Sequence, residues 1–152
     1  MHHCYLEDFE LGQVVETTAK TLSEAEILDF AMSYDPQPFH MDAEYAKEGP
    51  FGGLIASGVQ TLGIAVRLIM QAQIFAPDAS LGSPGLDELR WLVPVRPGDT
   101  LRARFEALNA RPSKSKPDRG VLRYAFGVIN QRDETVMTAL GTQIVKRREA
   151  DT

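Results

Sequence analysis

Residues 33–42, SYDPQPFHMD, set a carboxylate, an amide, an imidazole and a second carboxylate within ten positions, with prolines at 36 and 38. A carboxylate and an imidazole brought onto one water can take a proton and return it, which is the work of a general acid–base pair. Proline lacks a backbone donor and fixes φ, so this segment is read as a rigid, shaped loop and not as the interior of a helix or central strand. Such a loop reduces the entropy of holding Asp35 beside His40. The plainer reading is that Asp35 closes an Asx-type turn and His40 is an ordinary loop residue. Asp42 is expected to cap the next helix and only secondarily to orient His40. Metal ligation by His40 and Asp42 is not expected, because the body of the chain offers no further His or Cys.

A second stretch, FGGLIASG at 51–58, combines paired glycines, a serine suited to capping and another glycine. Gly52 and Gly53 permit tight backbone geometry, and Ser57 is a plausible N-cap for a helix starting at Gly58. Free amides at a helix N-terminus can receive a developing oxyanion. By itself the same stretch also reads as a capped helix whose glycines ease packing against a sheet.

The elements that must position these residues follow from pattern. Residues 12–20 are rich in β-formers and read as a first strand. Ser23 and Glu26 form a capping-box pattern, so a helix is expected over 24–34, stopped by Pro36. Asp35 then sits at a helix C-terminus, where the macrodipole disfavours negative charge, so its pKa is expected to be raised. A short helix is expected over 43–48, ended by Gly49-Pro50. The helix from Gly58 to about Gln73 is apolar on nearly all sides and reads as the buried central element. Beyond Pro77 the period changes to two: 86–95, 100–110, 120–131 and 135–147 read as strands joined by short turns, which implies antiparallel pairing. The deduced architecture is α+β, an antiparallel sheet of about five strands curled round one long helix, which is the hotdog fold.

Bulk properties narrow the function classes. A chain of 152 residues suits one domain (1–152, core about 8–146), and a formal net charge of −5 gives no general attraction to nucleic acid or anionic membrane. Cys4 is the only cysteine, which suits a reducing, cytoplasmic setting. The N-terminus has neither the basic nor the apolar region of a signal peptide, and His2, His3 and Cys4 read as a mobile tail. The longest apolar stretch, 54–75, carries Arg67, Ser57, Thr61 and three glutamines, too polar for a lipid-spanning helix.

Together, FAMSYDPQPFHMD, FGGLIASG and GLDELRWLVPVRPGDTL resemble the MaoC-like acyl dehydratases, a family that includes the R-specific enoyl-CoA hydratases; the likeness runs from about residue 8 to 146. The resemblance implies hydration or dehydration of an acyl-CoA thioester, with Asp35 and His40 catalytic and the Gly58 N–H on the thioester oxygen. Gln37, Gly53, Ser57 and Gly58 are the residues expected to meet substrate. Gln37 stands where the family has Asn, and Tyr34 where it commonly has Gly, bringing bulk close to the site. Thr61 is the nearest candidate for the hydroxyl residue that family hydratases carry along the central helix. Met32, Tyr34 and Phe51 are candidates for setting pocket depth. No metal and no cofactor is expected, coenzyme A being part of the substrate. The basic run from Arg111 to Arg119, and less so Lys146 to Arg148, are candidates for its phosphates, although such runs are more often simply solvated. A homodimer or a multiple of dimers is expected, with no nucleic-acid or membrane partner. Two other functions stay open: a thioesterase, and a non-catalytic acyl-CoA-binding module.

Overall fold

The computed structural model describes residues 1–149, so the last three positions of the expected domain lie outside the described residues. Five strands, β1 (Val14–Thr21), β2 (Gly85–Trp91), β3 (Thr100–Pro112), β4 (Arg119–Ile129) and β5 (Thr135–Lys146), form one antiparallel sheet in the order β1-β3-β4-β5-β2. Four α-helices lie between β1 and β2: α1 (Glu24–Tyr34), α2 (Pro38–Met41), α3 (Ala43–Glu48) and α4 (Gly58–Gln71). The sheet wraps α4, which packs on β1, β3 and β4. This is the α+β hotdog architecture read from the sequence.

Local signals explain the helix ends. The Ser23 hydroxyl accepts from the Glu26 N–H at 3.1 Å while the Glu26 carboxylate accepts from the Ser23 N–H at 3.2 Å, the reciprocal capping box expected. The prolines do not keep 33–42 wholly out of helix, however. Pro38 occupies the first position of α2, where a missing N–H costs nothing, so His40 lies on a single helical turn and not in open loop. The Asp42 carboxylate caps α3 by accepting from the Tyr45 N–H at 3.0 Å.

Two expectations about burial are corrected. α4 buries Ile64, Ala65, Leu68 and Ile69 on one side, each large aliphatic contributing about 1.5–3 kcal/mol. Its opposite stripe, Val59, Val66 and Met70, is exposed in the single chain. The N-terminal residues are docked rather than free: Cys4 is buried and bridges to Phe75, and the His2 ring bonds the Ala72 carbonyl.

β2 is also shorter than read. It leaves the sheet after Trp91, and 92–95 turns toward α4, where the Val95 carbonyl accepts from the Ala56 N–H at 2.8 Å. Pro94, which cannot donate to a ladder, lies in this departing segment.

Candidate active site

Asp35 caps the end of α1 and His40 lies within α2, and the two side chains meet: His40 Nε2 lies 3.3 Å from Asp35 Oδ2. The imidazole is only 5% exposed and its other nitrogen, Nδ1, is 2.8 Å from the Ile55 carbonyl. A carbonyl only accepts, so Nδ1 carries a proton and Nε2 is the nitrogen left for proton exchange. Asp42, committed to capping α3, does not orient the ring; the Ile55 carbonyl does. Phe39 stands edge-on to the imidazole at 4.5 Å and packs in turn on Phe51.

Both oxygens of Asp35 are engaged. Gln37 Nε2 donates to Oδ1 at 2.7 Å, and Ser57 Oγ donates to Oδ2 at 2.7 Å. These donors, Ser57 foremost and then Gln37, with the nearby His40, hold the carboxyl below its ordinary range despite partial desolvation. The expected rise is therefore reversed: the unfavourable end of α1 is outweighed by direct donors from elsewhere in the chain.

Ser57 is fully buried and does two jobs, since its Oγ also accepts from the Val59 N–H at 3.2 Å as the N-cap of α4. The hydroxyl next to Asp35 is thus Ser57 and not Thr61, whose Oγ1 turns back toward the Ser57 carbonyl. Gly58 follows, and its N–H finds no acceptor among the described residues.

Asp35, Gln37, His40, Gly58 and Thr61 line one cavity of about 540 Å³, with Phe51 and the 91–95 segment as its apolar walls. That volume is in the range of small-molecule sites. Ser57 contributes through Asp35 and through the helix terminus rather than as lining. Gly53 is not brought to the cavity: it sits in the turn after Gly52 (φ +65°), with the Arg96 guanidinium 3.4 Å from where its Cβ would be. Tyr34 points away, 76% exposed and packed on Phe30, and Met32 is likewise exposed, so of the proposed depth-setting residues only Phe51 lines the cavity.

The basic segments are elsewhere. Arg119 faces Lys146 on β5 while Trp91 faces Met137, nine residues and about 30 Å further along that strand. Arg119 pairs with Asp118, and Lys146, Arg147 and Arg148 pair with Asp78, Glu7 and Asp8. A second hollow, of about 330 Å³, opens on the outer face of the sheet near Arg104, Glu106 and Gly127; it holds no histidine. Among the described residues no group of three or more His, Cys, Asp or Glu is placed to hold a metal ion, and no helix is long and apolar enough to cross a membrane.

Two residues that the sequence reading passed over matter here. Ile55 supplies the carbonyl that fixes the imidazole. Trp91 donates its Nε1–H to the Gly58 carbonyl at 2.9 Å and covers the start of α4. The one available signal for Trp91 was its place as the only tryptophan, beside the VPVRPGD turn.

Comparison with known proteins gives a family and close structural likenesses. Residues 8–125 match the family described as MaoC like domain. The chain is 32% identical over 142 residues to the uncharacterized protein YdeM of Bacillus subtilis, spanning 93% of this chain and 99% of that one. It is 32% identical over 111 residues to the (R)-specific enoyl-CoA hydratase of Rhodospirillum rubrum, spanning 72% of this chain and 74% of that one. The crystal structure of a MaoC-like dehydratase from Rhodospirillum rubrum superposes with a TM-score of 0.89 at 37% identity, covering 97% of this chain and 99% of that one.

Proposed function

Because the chain belongs to the MaoC-like dehydratase family, we propose that it hydrates a 2-enoyl-CoA reversibly to an (R)-3-hydroxyacyl-CoA. One observation carries the reading: the Asp35 carboxylate, the His40 Nε2 and the unpartnered Gly58 N–H line a single cavity. The (R)-specific enoyl-CoA hydratase among its relatives supports the choice of substrate and stereochemistry.

In the hydration direction a water sits beside the pair and donates toward Asp35 Oδ2 and His40 Nε2. Its oxygen adds to Cβ as one O–H proton passes to the pair. The electron pair of the Cα=Cβ bond shifts toward the thioester, and the negative charge on the thioester oxygen is met by the Gly58 N–H at the positive end of α4. A proton returned from the pair to Cα completes the addition, and dehydration is the reverse. Gln37 and Ser57 keep Asp35 ionised and aimed; they are positioning residues. The chemistry draws on these side chains and one backbone amide, with coenzyme A entering as the carrier half of the substrate.

The same reading makes the protein a homodimer. β2 is an edge strand with open backbone groups, and Val59, at the start of the exposed Val59–Val66–Met70 stripe of α4, lines the cavity with Trp91 and Leu92. A second copy covering that flank would remove both an edge and an apolar patch from water. A cytoplasmic setting suits the single, buried, unpaired cysteine.

The test follows loss of the enoyl-thioester absorbance with short, medium and branched 2-enoyl-CoAs, with a thiol reagent assay in parallel. Hydration without thiol release, giving the R-3-hydroxy product, is expected. Thiol release would make the protein a thioesterase, and saturable binding with neither activity would make it a binding module.

A further inference from the structure

We propose that Trp91 decides which acyl groups the cavity admits, as the apolar wall that stands against Gly58 beside the Asp35–His40 water site. The inference rests on the acyl-thioester reading above. Its starting point is a contact. The indole lies so close to Gly58 that a Cβ on that residue would meet three ring atoms at 2.3–2.7 Å. The Nε1–H bond to the Gly58 carbonyl, at 2.9 Å, fixes the ring's rotation as well as its place. Gly58 does not adopt a positive φ, so the reason for a glycine here is room for the indole.

Trp91 comes from the edge strand β2 and lines the same cavity as Asp35, His40 and Gly58. The lining continues through Val59 and Leu92, both apolar. Removing the indole would widen the cavity beside Val59 and Leu92. No lysine or arginine lines the cavity, so a carboxylate on the acyl tail would find no countercharge. The group admitted is therefore an uncharged hydrocarbon acyl chain, and the indole limits its length.

As the only tryptophan, Trp91 is its own probe. Butanoyl-, octanoyl- and dodecanoyl-CoA are titrated into the intact protein by calorimetry, with indole emission followed in the wild type. The matching 2-enoyl-CoAs are assayed for turnover, and W91A, W91L and W91F are carried through alongside. Butanoyl-CoA is expected to shift the emission and to bind the wild type in preference to dodecanoyl-CoA. In W91A the ratio of dodecanoyl to butanoyl affinity, and of the corresponding kcat/KM values, rises at least about tenfold, the discrimination a hydrophobic wall provides. W91L falls between, which keeps the test open if W91A does not fold, and W91F, which keeps a ring, keeps the wild-type ranking. An unchanged ranking in W91A and W91L, or emission unmoved by an acyl-CoA that calorimetry shows bound, overturns the proposal. Graded binding with no turnover in any protein would instead overturn the hydratase reading and leave Trp91 as the wall. Absence of binding would remove both.

Discussion

Ser57 Oγ donates to Asp35 Oδ2 at 2.7 Å, so the N-cap of α4 holds the residue that ends α1. Through this bond the carboxylate, the imidazole beside it and the free amide at the start of α4 keep one geometry. Helix ends usually satisfy their own orphan groups; here the capping hydroxyl also serves the neighbouring helix.

Removing either member of the water-activating pair is expected to cost turnover and not the fold. Asp35→Asn keeps the size and one acceptor but cannot take a proton; His40→Ala removes Nε2. Each lowers kcat by at least about a hundredfold, the low end for acid–base groups. Circular dichroism and light scattering are expected to be unchanged for Asp35→Asn. Near-normal rates in both variants would take these roles away.

The lowered Asp35 pKa fixes a pH dependence. Ionised Asp35 stabilises the native state fully above the ordinary carboxylate value of about 3.9, and that contribution is lost as pH falls through the lowered native value. Ser57→Ala removes the strongest donor, so the acid limb of kcat/KM moves to higher pH, and Gln37→Ala moves it less. Ser57→Ala also loses the α4 cap, at about 1 kcal/mol in urea denaturation. An acid limb that stays put in Ser57→Ala would mean the bond does not tune the carboxylate.

How far the sequence revealed this site depended on the range of each interaction. The ends of α1 were readable because Ser23 and Glu26 at one end, and Pro36 at the other, each act within a turn of the end they set. The strand types were readable from period alone, but not their order: β2 follows α4 yet pairs with β5 at the far edge of the sheet. The sign of the Asp35 shift was misread for the same reason. The helix dipole is local to Asp35, whereas the stronger donor arrives from Ser57, 22 residues on. Trp91 reaches Gly58 across 33 residues, and no periodicity reports that contact.

The Gly58–Trp91 contact makes a prediction whose sign is diagnostic. Alanine is the better helix former, so Gly58→Ala would ordinarily stabilise α4. Here the new methyl meets the indole, and a loss of about 1–3 kcal/mol is expected in urea denaturation, as for overpacking. In a Trp91→Ala background the same substitution becomes neutral or favourable. Additive effects in that double-mutant cycle would show that ring and helix do not press on each other.

The exposed stripe of α4 offers the last test. Val59, Val66 and Met70 fall at intervals that place them on one side of the helix, opposite the buried Ile64 and Leu68. A monomer gains nothing from three large apolar residues there, whereas a second copy would bury them together with the free edge of β2. Val66→Glu leaves the core of the single chain untouched but would put a charge into the contact between copies. It lies two helical turns from Gly58, so it leaves the water-activating pair in place. Light scattering is expected to find the wild type at twice the chain mass and Val66→Glu shifted toward the monomer, with its circular dichroism retained. A variant that stays dimeric would move the interface off α4, and a monomeric wild type would mean that this stripe faces water in the working protein.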